Sequence, residues 1–278
     1  VEISNALDSK VRVPVSQAGG VWYVNGDDLY GMSDEESTIT IPVKSDYDYT
    51  VDMPAWITGE KVKEGYNFTL TENTTGNARK GTVIFKSQKG TKEITFVQFG
   101  VNDIAGTYEA TYSTFGEGDD WVSETVKIEL LQDEENEAVF YADGLSSIRG
   151  VVLPLKFDGE TYQLSALNGQ YLGFIESQKW YLYTIVRSEA GYVHADTSLS
   201  YPAIAELDVD DEELMPFFPF KDKKGFSFTG ETGTIKSFID AIGVYVFASK
   251  SPTFGNNNNL GYYDIFKGLS IKKIKADH

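Results

Sequence analysis

Tyr66–Asn67–Phe68–Thr69–Leu70–Thr71 alternates apolar and polar side chains over six residues, which puts Tyr66, Phe68 and Leu70 on one face of a strand. Outward from it the same signature recurs. Ser37–Val43, Gly81–Ser87 and Thr91–Phe99 are rich in Thr, Val, Ile and Phe, residues that suit a pleated, half-buried surface. Gln88–Lys89–Gly90 joins the last two as a short glycine-containing hairpin connection. Long amphipathic helices are missing. Short strands punctuated by Asn, Asp and Gly predict an antiparallel sandwich over the first hundred residues.

A boundary is expected at Phe99–Gly100–Val101–Asn102–Asp103, dividing the chain into residues 1–100 and 101–278. The first part has 10 basic and 14 acidic residues, the second 14 and 28, so acidity concentrates in the second. Eight or more strands are expected there, among them Gly106–Tyr112, Trp121–Leu131, Glu137–Ala142, Val151–Phe157, Thr161–Leu164, Trp180–Arg187, Gly243–Ser249 and Leu269–Lys275. Thr234–Ala241 reads as a short helix. An all-β chain of this pattern closes into an antiparallel barrel, which removes exposed sheet edges, or forms a second sandwich. Val13–Gly19 and Thr95–Gly100 each place a Gln after a β run and a Gly two residues later, either a repeated last strand or coincidence.

Composition removes several functions. The chain of 278 residues has 24 basic and 42 acidic side chains, a net charge of −18, and no cysteine. A large negative field repels phosphates, which argues against nucleic acid and anionic membranes as partners. Thiol catalysis, disulfides and cysteine-based metal sites are excluded, and two histidines cannot build a multi-histidine metal centre. No apolar run is long enough to span a bilayer; the longest lies near Ile242–Ala248. The start at Val1, without an export signal, reads as a mature or trimmed chain whose signal or lipid-anchoring cysteine would lie upstream.

Pro54–Ala55–Trp56–Ile57, the Asn-rich turn Glu72–Lys80 running into Gly81–Thr82–Val83, and the closing strand Glu93–Gln98 carry a family likeness. In this order and spacing, Ser37–Gly100 resembles the BACON family, the Bacteroidetes-associated module named for carbohydrate binding. The resemblance implies a seven-stranded immunoglobulin-like sandwich near the N-terminus of an exported or surface lipoprotein of gut-type bacteria. It carries over no sugar-contacting residues. Beyond Gly100, only Gly106–Thr107–Tyr108 resembles lipocalin barrels, which carry Gly-x-Trp at that place.

The aromatic content, 17 Tyr, 17 Phe and 4 Trp, points to surfaces that stack on sugar rings or cradle apolar ligands, or else to core packing. Candidate ligand-binding residues are Trp121, Trp180, Tyr181, Tyr183, Tyr262 and Tyr263. In Trp180–Tyr181–Leu182–Tyr183 the tyrosines share one face, while Trp180 and Leu182 share the other. Trp121 follows the acidic loop Gly116–Asp120, and Tyr262–Tyr263 follow the amide loop Gly255–Asn259. Trp56 reads as a sandwich core residue. Asp208–Glu213 holds five carboxylates in six residues but lacks the glycine and distal Glu of a calcium loop, so it reads as a solvated turn. His194–Ala195–Asp196 with Ser198 lacks a nucleophile elbow. Met215–Phe220 is too proline-broken for a central strand.

The resulting expectation is a non-enzymatic, exported, monomeric protein without cofactor or metal, in the periplasm or on the cell surface. It binds glycan or mucin oligosaccharide, or serves as a spacer in a polysaccharide-capture system. A lipid carrier using a barrel lumen and a glycosidase-like enzyme are the alternatives; the latter needs two carboxyl groups about 5–10 Å apart across a cleft.

Overall fold

The computed structural model describes residues 2–4, 10–12, 20–116, 120–208, 214–230, 233–255 and 257–275. The Val13–Gly19 echo, most of the acidic run Asp208–Glu213 and the middle of the Gly116–Asp120 loop lie outside the described residues. The fold is all-β; the one helical turn among the described residues is a 3-10 turn at Val101–Asp103. Contacts divide the chain into two compact units. The first comprises Val1–Tyr30, Glu36–Thr71 and Gly81–Phe96; the second comprises Gly31–Glu35, Glu72–Lys80 and Val97–His278.

Strands β1 (Glu2–Ser4) and β2 (Lys10–Arg12) pair antiparallel. Two four-stranded sheets follow. One has β3 (Trp22–Val24), β5 (Ser37–Ser45), β8 (Gly65–Leu70) and β7 (Ile57–Val62) in that order. The other runs β4 (Leu29–Met32), β10 (Gly90–Gln98), β9 (Arg79–Ser87) and β6 (Tyr49–Asp52). The alternation in β8 aims Phe68 and Leu70 inward, and both are fully buried. Phe68 meets Phe85 and Phe96 of the other sheet at ring separations of 5.8 and 5.6 Å, so the two sheets share one aromatic core. Trp56 is half-buried and lies over Gly81: a Cβ there would stand 2.7 Å from Trp56 Cζ2 and 2.6 Å from Pro54 Cγ. The glycine of the Asn-rich motif thus makes room for the Pro-Trp pair.

The second unit is built on one large sheet. Its path is β16 (Tyr171–Ile175), β17 (Trp180–Ser188), β23 (Ile239–Phe247), β24 (Asn259–Lys273), β11 (Gly106–Phe115) and β12 (Trp121–Gln132). It continues through β13 (Val139–Asp143), β14 (Leu153–Asp158), β15 (Gln163–Leu167) and β19 (Ser200–Ile204). The short β18 (Val193–His194) pairs with β17.

The sheet curls into a half-barrel, and β20 (Phe217–Pro219) ties its far strand back. That strand pairs with the C-terminal part of β24, while bridges Ala203↔Phe220 and Glu206↔Phe217 join its neighbourhood to the β19 side. Hydrogen-bonded pairing therefore runs in a ring of eight strands, with β20 as a three-residue link that two prolines, Pro216 and Pro219, keep short. Tyr108, Phe140, Phe157, Phe218 and Phe266 are buried in one cluster on the inner side.

The helix expected at Thr234–Ala241 is instead strand. Gly233–Ser237 forms β22, paired with β21 (Phe226–Gly230), and Ile239 opens β23. A short apolar run has no decisive period of its own, and cross-strand partners for Ile235 and its neighbours settle it.

Candidate functional site

Strands β17 and β23 are buried on both faces. Leu182, Val186, Ile242, Val244 and Val246 join the inner cluster, whereas Tyr183, Ile185, Tyr245 and Phe247 form a separate cluster on the outer face. The local alternation of β17 explains the division: Trp180 packs against the inner cluster and Tyr181 against the outer one.

The outer cluster extends onto the edge strand β16. Tyr171 stands directly opposite Tyr183 in the ladder, and Phe174 opposite Tyr181, with ring separations of 5.3 and 4.5 Å. Tyr171 and Phe174 are three apart and would face opposite ways in a regular strand. A register shift between Tyr171 and Gly173, with Gly173 at φ 149°, brings both rings to the same side. Tyr171 is 49 % and Phe174 39 % exposed, so this aromatic face reaches solvent at its rim.

Polar groups are set among the rings. The Tyr183 hydroxyl donates to the Lys250 carbonyl, and the Tyr245 hydroxyl to Asn259 Oδ1. The Tyr262 hydroxyl donates to the Ile185 carbonyl at 3.2 Å. Burial pushes the phenols of Tyr183, Tyr245 and Tyr262 above the usual tyrosine range, so all three stay neutral donors. Phe254 packs edge-on against Tyr245 at 5.7 Å and is also exposed at the rim.

The six residues singled out from sequence separate into three places. Tyr181, Tyr183 and Tyr262 meet on the outer aromatic face. Trp180 and Tyr263 contact each other at 6.2 Å, Trp180 on the inner-facing side of β17. Trp121 stacks near Phe115 at 4.6 Å, with Lys267 Nζ 4.5 Å and the Arg187 guanidinium 5.4 Å from its ring centre. Both cations converge on Asp240, at 3.5 and 2.8 Å, so the tryptophan is built into a charged group.

Tyr171, Phe174 and Phe254 were not foreseen as members of the site. A glycine inside the apolar run Tyr171–Leu172–Gly173–Phe174 is the one sequence signal that marks the bulge. His194 packs edge-on against Phe226 and Phe228 at 4.8 and 4.5 Å, and its Nε2 lies 3.4 Å from Ser188 Oγ. Asp196 accepts the Ser198 N–H in a local turn. Among the described residues no group of three or more His, Asp or Glu side chains is placed to hold a metal ion, and no helix is long and apolar enough to cross a membrane.

No protein-family model matches this chain, and no curated protein matches it in sequence.

Proposed function

We propose that this protein is a non-enzymatic, exported glycan-binding protein of a bacterial surface, with a BACON-like module over residues 1–100 and a barrel-like binding domain over 101–278. An oligosaccharide of the host-mucin type is the partner, and a lipid anchor upstream of the chain would hold the protein at the outer membrane. The observation that carries this reading is the outer aromatic face, where Tyr171 and Phe174 present exposed rings over the buried Tyr183 and the half-buried Tyr181. Flat rings beside fixed hydroxyl and amide groups suit the apolar faces and hydroxyls of pyranose rings. Each stacked ring contributes about 1 kcal/mol beyond area burial. Two or three give affinities of order millimolar, which a tethered array raises through avidity.

The large side chains on the inner side favour this surface reading over a carrier with an open lumen. A glycan array with the intact protein, repeated with Tyr171→Ala/Phe174→Ala, tests it. Retention on responsive glycans should fall to background while the thermal midpoint moves by only a few degrees. A double variant that binds as well as the parent would remove the aromatic face from the function.

A further inference from the structure

The turn Lys221–Asp222–Lys223–Lys224–Gly225 between β20 and β21 sets three lysines within four residues, a net +2 in a chain of net charge −18. All three line a pocket of about 500 Å³ in the second compact unit, formed with the edge of β19. Pro202 and Phe226 give it apolar walls, and Gln163 and Ser200 polar ones.

The turn is held in place by its own backbone. Asp222 Oδ1 accepts the N–H groups of Lys224 and Gly225 at 2.9 Å each, and Oδ2 accepts that of Ile239 at 3.0 Å, which ties the turn to the start of β23. The Lys221 N–H donates to the Pro202 carbonyl at 2.7 Å and ties it to β19. Gly225 closes the turn at φ 68°, a conformation that favours glycine. The one carboxylate within the turn is thus engaged by three backbone donors. The three lysines are exposed, and among the described residues their ammonium groups make no hydrogen bond or ion pair. Asp208, where the acidic run begins, lines a different pocket with Phe217. That pocket is at the Glu206↔Phe217 end of the pairing with β20, whereas the lysine turn is at the Pro202–Lys221 end.

We propose that this pocket binds a sugar esterified with a tetrahedral oxyanion, sulfate or phosphate, with Lys221, Lys223 and Lys224 on the ester oxygens and Pro202 and Phe226 against the ring. An ammonium is a compact charge with three donors, so three of them suit a group with three terminal oxygens. A planar carboxylate is matched better by the arginine fork, and no arginine is among the described residues that line the site. The volume exceeds what a free ion fills and lies within the 300–1,000 Å³ of small-molecule pockets. Salt screens the acidic surface beyond about 8 Å at physiological ionic strength, so a small ester feels chiefly the lysines beside it. A long polyanion would meet the whole negative field. The pocket shares no residue with the outer aromatic face, so the assignment does not depend on that face binding glycan.

NMR titration of the intact nitrogen-labelled protein with glucose 6-sulfate, glucose 6-phosphate, glucose and inorganic sulfate tests the site. At low salt at least one ester should bind about tenfold or more tighter than both glucose and inorganic sulfate, and the tighter ester identifies the group. Lys221→Gln/Lys223→Gln/Lys224→Gln should lose about tenfold for that ester at an unchanged thermal midpoint. Absence of binding by both esters, glucose or inorganic sulfate binding as tightly as the esters, or an unaffected triple variant would overturn the assignment. Should the triple variant misfold, the parent protein decides: ester affinity must drop several-fold between about 20 and about 300 mM salt, and a flat dependence overturns it. Tyr171→Ala/Phe174→Ala keeps ester binding even if the aromatic face proves inert, and the lysine variant keeps retention on uncharged glycans, so the two readings fail separately.

Discussion

Lys273 meets Asp103 through the backbone and not through the carboxylate. Its Nζ donates to the Asp103 carbonyl at 2.8 Å, while Asp103 Oδ2 accepts the Gly100 N–H at 2.9 Å. Asp103 Oδ1, fully buried, has no hydrogen-bond partner. A carboxylate left so poorly solvated favours its protonated form, against the weaker pull of Lys273 and Arg79 and with a push from Asp34.

The first prediction concerns acid. The Asp103 carboxyl is raised from 3.8 to about 6 in the fold, so the native state holds its proton longer than the unfolded chain does. The stabilisation is fully present below about pH 4 and is lost as pH rises through 6, a change on the order of 2–3 kcal/mol. Urea midpoints measured from pH 4 to 7 should show this slope, and Asp103→Asn should flatten it. An unchanged slope in Asp103→Asn would show that other carboxylates set the pH dependence.

His194 should act with the opposite sign. Burial between Phe226 and Phe228 lowers its pKa below 6.5, against a smaller opposing effect of Asp196. The unfolded chain then binds the proton more readily. The contribution is complete above pH 6.5 and is lost as pH falls through the native value. Proton NMR of the imidazole should titrate below the free-histidine range, and His194→Phe should remove this limb from the stability profile. A normal imidazole titration would refute the packing argument.

Phe218 tests the link strand. It is fully buried between Tyr108 and Phe99, each with its ring centre 6.4 Å away. Phe218→Ala should cost about 3–5 kcal/mol in urea denaturation, because the cavity opens where β20 ties β19 to β24. A loss under about 1 kcal/mol would mean that this link is dispensable for the curled sheet.

Gly81→Val should displace Trp56. The added Cβ would sit well inside contact distance of Trp56 Cζ2 and Pro54 Cγ, and overpacking of this kind costs about 1–3 kcal/mol. Tryptophan fluorescence should shift red as the ring gains water. An emission spectrum identical to the parent's would show that the Pro-Trp pair accommodates the methyl groups.

Residues 101–278 are expected to fold when expressed alone, but below the stability of the whole chain. Phe99, fully buried in the inner cluster, and Gly76, whose carbonyl receives Lys273, belong to the same compact unit and would both be missing. Starting the fragment at Val97 should recover part of the loss, read as a higher thermal midpoint. Equal midpoints for both fragments would assign Phe99 no role there.

Local period decided much from the sequence alone. Alternation along a single strand requires no partner, so the all-β class and most strand positions could be read directly. So could the division of Trp180 and Leu182 from Tyr181 and Tyr183, because successive side chains on a pleated strand must point opposite ways. What depended on partners could not be read. Tyr171 and Phe174 share a face only because β17 pairs across a bulge at Gly173. Trp121 became part of a charged group because Lys267 and Arg187 arrive from strands far along the chain. Lys273 reaches the Gly76 carbonyl across nearly two hundred residues. Strand pairing at such separations is selected by the collective burial of two hydrophobic clusters and the closing of a hydrogen-bonded ring. Those are properties of the assembled sheet, and no stretch of six residues contains them.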